Sequence, residues 1–124
     1  MTGRRHFTES ELAYLQSERR LGRLATADTA GRPQVTPVGM WMLNHELGTI
    51  DVTGHDIATT RKYRNVRANP HAALVIDDIA SLDPWRPRAV VIEGAAKTVD
   101  EGGSALIRIV PTKILSWGLD SPEG

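Results

Sequence analysis

Four basic side chains stand close together in the middle of this chain. Arg61, Lys62, Arg64 and Arg67 fall within about two turns of a helix, with no acidic residue between them. The segment that carries them, Thr53 to Pro70, leaves the end of an apolar strand, passes a turn at Gly54 and becomes helical. Asp56 or Thr59 is placed to cap the helix by accepting from its free N–H groups. Asn69-Pro70 ends it, because the residue before proline avoids helical angles. Strand, glycine turn, helix start and cations together would hold an anion such as a phosphate. The same four residues could instead be a solvated basic face, and this segment alone leaves both readings open.

Other chemistry is scarce. His6, His45, His55 and His71 lie near termini and turns, and no pair has HxxxH spacing, so no metal site is expected. There is no GxSxG elbow, no GxGxxG and no Walker loop. The chain has no cysteine, which excludes disulfides, thiolate metal ligands and a cysteine nucleophile. Asp77-Asp78 could bind a cation but is read as a turn signal. A chain without nucleophiles or acid–base pairs can still do chemistry when a cofactor supplies it. Here the backbone of Thr36-Pro37-Val38 and the Thr53 hydroxyl could face a planar ring while Arg61, Lys62 and Arg64 hold its phosphate. Thr53 is also a candidate proton donor, beside solvent.

The 124 residues fit one domain, 1–124. Fifteen Lys and Arg balance fifteen Asp and Glu, which argues against broad nucleic-acid binding. No platform of alternating aromatic and basic residues is present for single strands. No apolar run approaches the roughly 20 residues needed to span a bilayer. The basic start Met1 to His6 is not followed by an apolar segment of signal-peptide type. The expectation is a cytoplasmic protein with no membrane partner.

The elements follow from local signals. Thr8-Glu9-Ser10-Glu11 is a capping box, with Phe7 and Leu12 spaced as a hydrophobic staple. The helix it opens runs to about Arg19 and buries Leu12 and Leu15. Strands are expected at Gly22–Asp28, Gln34–Leu43, Thr49–Thr53, Ala72–Asp78, Arg88–Val99 and Ala105–Val110. A seventh, Lys113–Gly118, follows a break at Pro111. Pro37 cannot donate to a ladder and belongs at an edge or bulge. Gly94 suggests a bulge or close backbone approach. Ile79–Pro87 reads as a loop, and Trp41 as core. Six to seven antiparallel strands with two short helices indicate a mainly β chain, a closed or nearly closed barrel.

Three stretches then carry a resemblance: Gly31-Arg32-Pro33-Gln34-Val35-Thr36-Pro37-Val38, Arg61 to Pro70, and Ile92-Glu93-Gly94-Ala95-Ala96. In this order and spacing the chain resembles the pyridoxamine 5'-phosphate oxidase-like split β-barrel flavoproteins, of FMN-binding type. It is most similar to the branch that uses the deazaflavin coenzyme F420. The resemblance spans Arg23 to Gly118. It implies a homodimer with two cofactor sites at the interface. It implies that Gln34, Thr36, Pro37, Val38 and Thr53 line the ring and that Lys62 meets the phosphate, helped by Arg61, Asn65 and Arg67. Trp85 or Arg88, and Trp117, would close the site from the partner subunit, although Trp117 could equally be interface packing. A brief turn at Asp100–Gly103 stands where longer relatives have a helix, which would open the substrate pocket. The substrate signature of true pyridoxamine phosphate oxidases is not evident, so that vitamin is not expected as substrate.

The implied function is an F420-dependent oxidoreductase. It would pass a hydride from reduced deazaflavin to an unsaturated small molecule, such as a conjugated enone, a quinone or a tetrapyrrole. No covalent catalytic residue is implied. The alternatives are FMN as cofactor in the same site, a binding or storage protein for flavin, deazaflavin or a haem-like ligand, and a phosphate-binding barrel with no redox role.

Overall fold

The structure is a computed structural model and describes residues 4–119. Its elements in chain order are α1 (Glu9–Ser17), β1 (Gly22–Ala27), β2 (Pro33–Val38), β3 (Trp41–Asn44) and β4 (Thr49–Val52). A 3₁₀ turn (Ile57–Thr59), α2 (Arg61–Ala68), β5 (His71–Leu82), β6 (Trp85–Glu101) and β7 (Ser104–Trp117) complete them. The strands form one antiparallel sheet in the order β2-β1-β5-β6-β7-β4-β3. β2 and β3 are therefore its two edges, yet only Gly39-Met40 separates them in the chain. Two residues reach a few ångströms, so the sheet must curl until its edges meet. The result is a mainly β barrel, split between β2 and β3.

Period-2 alternation fills the barrel. Leu24, Leu74, Ile76, Val90, Ile92, Ile107, Ile109 and Ile50 are buried in one apolar cluster. Trp41 joins them, as its sequence context suggests, and its indole N–H donates to the Arg20 carbonyl at 2.7 Å. On β4 even the outward Asp51 is buried. Arg108 of β7 pairs with it at 3.0 Å, and Asn44 and Thr49 donate to the same carboxylate. α2 packs against β1 and β6.

Several expectations change. The strand expected over Gln34–Leu43 is two strands, because the chain crosses from one edge of the sheet to the other at Gly39-Met40. Pro37 lies on an edge strand that pairs with β1 alone, where its missing N–H costs no ladder bond. The expected loop Ile79–Pro87 is the end of a long hairpin. Pro84 lies in its turn, and Pro87 is tolerated in β6 because β7 pairs with β6 only from Ala89 onward, so this stretch has no outer ladder to break. Pro111 does not end a strand. It lies opposite Gly94 at a register shift that leaves Thr112 without a partner of its own, and β7 runs on through it. Gly94 is required there, since a Cβ would strike the Val110 carbonyl oxygen.

In α1 the capping box forms: Glu11 N–H donates to Thr8 Oγ1 at 3.1 Å and Thr8 N–H to Glu11 Oε1 at 2.9 Å. The buried face, however, is Glu11, Tyr14 and Leu15, with Leu12 half-buried. Glu11 tolerates full burial because Arg4 donates to both its oxygens, at 3.0 and 2.7 Å, and Ser116 donates at 2.6 Å. Asp77 and Asp78 sit within β5 rather than in a turn.

Candidate functional site

α2 begins at Thr60, whose hydroxyl accepts from Tyr63 N–H at 3.3 Å. This corrects the expected caps. Asp56 sits before the 3₁₀ turn with left-handed φ and makes no cap bond, and the Thr59 hydroxyl donates back to the Asp56 carbonyl at 2.8 Å. Among the described residues, the N–H groups of Arg61 and Lys62 have no acceptor. None of Arg61, Lys62, Arg64 and Arg67 has an ion-pair partner there. Arg64 donates to the Thr59 carbonyl at 3.0 Å, and Arg67 lies 5.7 Å from the Tyr63 ring. Lys62 is half-buried, whereas Arg61, Arg64 and Arg67 are exposed. Unpaired cations and free N–H groups at a helix start form an electropositive end that an anion would neutralise.

The neutral half of the site is built on β2 and β1. Antiparallel pairing puts Gln34 opposite Thr26, Thr36 opposite Leu24 and Val38 opposite Gly22, all on the core-facing side. Thr26 lies buried between two partners. The Asn65 amide donates to its hydroxyl at 3.1 Å, and that hydroxyl makes a long 3.5 Å bond to Gln34 Oε1. A chain of polar groups thus runs from α2 through β1 to β2. Lys62 precedes Asn65 by three residues and so shares its helix face. Thr36 Oγ1 is buried and has no hydrogen-bond partner among the described residues. Leaving such a group unpaired costs about 1–3 kcal/mol.

The other expected site residues divide clearly. Pro37 faces the opposite side of β2 from Thr36 and cannot share a ring with that hydroxyl through side chains. Val38 is core, which leaves only its backbone available. Thr53 is half-buried, and its N–H and hydroxyl both donate to the Met40 carbonyl, at 2.8 and 3.1 Å. Asn65 is buried and acts on Thr26. Arg88 is held at the far end of β5, where its guanidinium donates to both oxygens of Asp78 at 2.9 and 2.5 Å. Trp85 and Trp117 are exposed near that same far end, away from α2 within one chain.

Asp78 is the hub of that distant cluster, with Arg20 at 3.0 Å and the Tyr14 hydroxyl at 2.9 Å completing its shell. Burial pushes its carboxyl up, but the hydrogen bonds from Arg88, Arg20 and Tyr14 outweigh this and hold it at about 2. Glu11 is likewise raised by burial and brought down to about 2 by Arg4, Ser116 and the Thr8 N–H. Burial pushes the Tyr14 hydroxyl up, and its bond to Asp78 adds to the effect. These groups are saturated and structural; none faces the polar chain on β1 and β2. Thr26 is the residue that motif reading missed. Its signal was a hydroxyl at an inward position of Leu24-Ala25-Thr26, where the alternation calls for an apolar side chain.

Among the described residues no group of three or more His, Asp and Glu could hold a metal ion, and no helix is long and apolar enough to cross a membrane. Residues 8–117 match the family model described as pyridoxamine 5'-phosphate oxidase. The chain is similar to a 5a,11a-dehydrotetracycline/5a,11a-dehydrooxytetracycline reductase of Streptomyces rimosus. The two are 40% identical over an alignment of 122 residues that covers 92% of this chain and 84% of the relative. A crystal structure of a conserved hypothetical protein from Mycobacterium tuberculosis superposes with a TM-score of 0.72 at 22% identity, covering 90% of this chain and 85% of that one. A protein described as an F420 reductase superposes with a TM-score of 0.62 at 20% identity, covering 83% and 94%. At these identities the two structures share the fold.

Proposed function

The chain belongs to the pyridoxamine 5'-phosphate oxidase family, and from that premise we propose that it is an F420-dependent reductase acting on a polycyclic conjugated enone. The observation that carries the reading is the α2 start: unpaired Arg61 and Lys62, their free N–H groups, and the polar chain Asn65–Thr26–Gln34, which ends two residues from the unpartnered Thr36 hydroxyl on the same face of β2. These residues fit a planar ring that carries a phosphate. Lys62 and the α2 N–H groups would take the phosphate, Thr36 and Gln34 would meet the ring's polar edge, and Arg61, Arg64 and Arg67 would follow an extended anionic tail. That tail favours the deazaflavin over FMN, which ends at its phosphate. The fold is also one that an F420 reductase uses. The substrate class is supported by the 40% identical relative.

When bound, the reduced cofactor supplies the hydride. The chain binds and orients the two reactants and keeps water from the face where they meet. A carbon–carbon double bond conjugated to a carbonyl would take a hydride at one carbon and a proton at the other, a two-electron reduction whose electrons the bound cofactor would supply. In this reading solvent supplies the proton: Asp78, Glu11 and Asp51 are each paired with an arginine, and the Thr53 hydroxyl donates to the Met40 carbonyl. Two copies of the chain would form the working unit, with Trp85 and Trp117 supplied across the interface.

The test is titration of the purified protein with F420 and with FMN, followed by fluorescence, and then addition of a polycyclic enone to the reduced complex. Binding of the deazaflavin alone, with reoxidation on adding enone, is the expected result. Binding of FMN alone moves the activity to that cofactor. A reduced complex that no acceptor reoxidises makes the barrel a storage protein. Failure of both cofactors to bind removes the reading.

A further inference from the structure

Thr26 is the middle of a hydrogen-bond relay that has a direction. Asn65 Nδ2 donates to Thr26 Oγ1 at 3.1 Å, and Thr26 Oγ1 in turn lies a long 3.5 Å from Gln34 Oε1. A hydroxyl carries one proton. The Thr26 oxygen already takes the Asn65 proton, so its own proton goes to Gln34. Turning the Gln34 amide over would bring a second N–H against the same oxygen. The Thr26 proton would then have no acceptor, at a residue only 4% exposed. A buried donor left without a partner is costly. The relay therefore holds the Gln34 side chain with its oxygen toward β1.

That orientation leaves over the Gln34 amino group. Its protons have no acceptor among the described residues, and the side chain is only half-buried. Gln34 stands on an edge strand that pairs with β1 alone. Thr36 follows on the same face of β2, its buried oxygen also without a partner. On α2, Lys62 lies one turn before Asn65 and has no ion pair. The Lys62 ammonium and the Gln34 amino group are donors, and the Thr36 hydroxyl can act as one. A ligand that fits this row presents oxygens to it rather than N–H groups.

We propose that Gln34 donates a hydrogen bond to a carbonyl oxygen of the bound ring, and that Thr26 and Asn65 are positioning residues that hold its amide in the donating orientation. The assignment rests on the cofactor site of the proposed function and adds the polarity with which that site reads the ring. FMN and the deazaflavin share a pyrimidine edge whose acceptors include carbonyl oxygens, so the assignment is the same for either. Asn65 and Thr26 are 5% and 4% exposed and act only through Gln34. Their burial is what makes the device useful. A donor already aimed before the ligand arrives loses less freedom on binding than one that must be ordered by it.

Gln34→Glu tests the polarity, because it keeps the shape and puts an oxygen where the amino group was. At about pH 8 it should weaken binding by about tenfold or more in a fluorescence titration with F420 or FMN, whichever the wild-type chain takes. A protonated carboxyl can donate again, so the loss should shrink as the pH is lowered to about 5. A loss that came from packing alone would not vary with pH. Thr26→Val should lower the affinity several-fold, and Thr26→Ser, which keeps the hydroxyl, should restore it. If the Gln34→Glu chain binds as tightly as the wild type or more tightly, the relay runs the other way and the assignment is wrong. The cofactor site of the proposed function stands in that case, since the wild-type chain still binds. If the wild-type chain binds neither cofactor, both fall together.

Discussion

The Asn65 side-chain amide donates to the Thr26 hydroxyl at 3.1 Å, which ties α2 to β1 in the protein interior. Neither group faces solvent, so each depends on the other. Thr26→Val should destabilise the fold by about 1–3 kcal/mol, because it leaves a buried amide without an acceptor. Thr26→Val combined with Asn65→Leu should recover much of that loss, since both polar groups then go. Urea unfolding of the singles and the double measures the coupling. A strictly additive double would show that the bond does not hold the helix.

Lys62 reaches toward the same face of α2 as Asn65 but spends no bond on the protein. Lys62→Ala should leave urea stability within about 0.5 kcal/mol, as a surface substitution does. It should weaken deazaflavin binding by about 1.5–3 kcal/mol, the range for a hydrogen bond to a charged group. Arg64→Ala should cost less, because that guanidinium is already engaged with the Thr59 carbonyl. Fluorescence titration of both variants makes the comparison. Equal affinity of Lys62→Ala and the wild-type chain would take the phosphate away from this helix.

The basic helix and the barrel were legible because each has a local cause. Arg61, Lys62, Arg64 and Arg67 stand on one short helix whatever surrounds it, and the capping box at Thr8 and Glu11 needs four residues to recognise. The long hairpin was not legible, because Asp83-Pro84 and Pro87 look like loop residues. Asp83-Pro84 is the turn between the two strands, and only the absence of β7 beside Pro87 makes that proline compatible with a strand. The break at Gly39-Met40 was hidden for a similar reason: nothing local says that β2 and β3 belong to opposite edges. The roles of Thr26, Glu11 and Asp78 depend on partners up to 105 residues away, such as Ser116 on Glu11. Such pairs are set by the tertiary fold and leave no spacing to read.

Thr36 separates stability from binding. Its buried hydroxyl oxygen has no partner in the protein, so Thr36→Val removes an unsatisfied group while keeping the shape of the side chain. The ligand-free variant should be as stable as the parent or more stable by up to about 1 kcal/mol. Its affinity for the cofactor should nevertheless fall by about 1 kcal/mol or more, because the contact to the ring in the proposed site would be lost. Thermal unfolding with and without ligand reads both effects at once. A variant that is more stable and binds as well as the parent would put the ring elsewhere.

Acid should undo the fold through Glu11 and Asp78. Both carboxyls are near 4 in an unfolded chain, and in the fold each is held at about 2 by its arginine and hydroxyl partners. A depressed folded value means that the native state binds the proton less readily than the unfolded one. Stability from these groups is therefore fully present above about pH 5 and is lost as pH falls from about 4 toward 2. The melting temperature should be level on their account between pH 7 and 5 and then drop. Arg88→Met takes away the partner that makes two of the four hydrogen bonds to Asp78, so that carboxyl titrates at higher pH and the drop begins earlier. Arg4→Met should do the same through Glu11, with a larger loss at neutral pH. It strips a buried carboxylate of its cation, a change that costs about 3–5 kcal/mol in buried pairs. Melting curves of the three proteins from pH 7 to pH 2 decide the matter. Variant profiles that run parallel to the parent through the acid limb would show that neither arginine sets its carboxyl's titration.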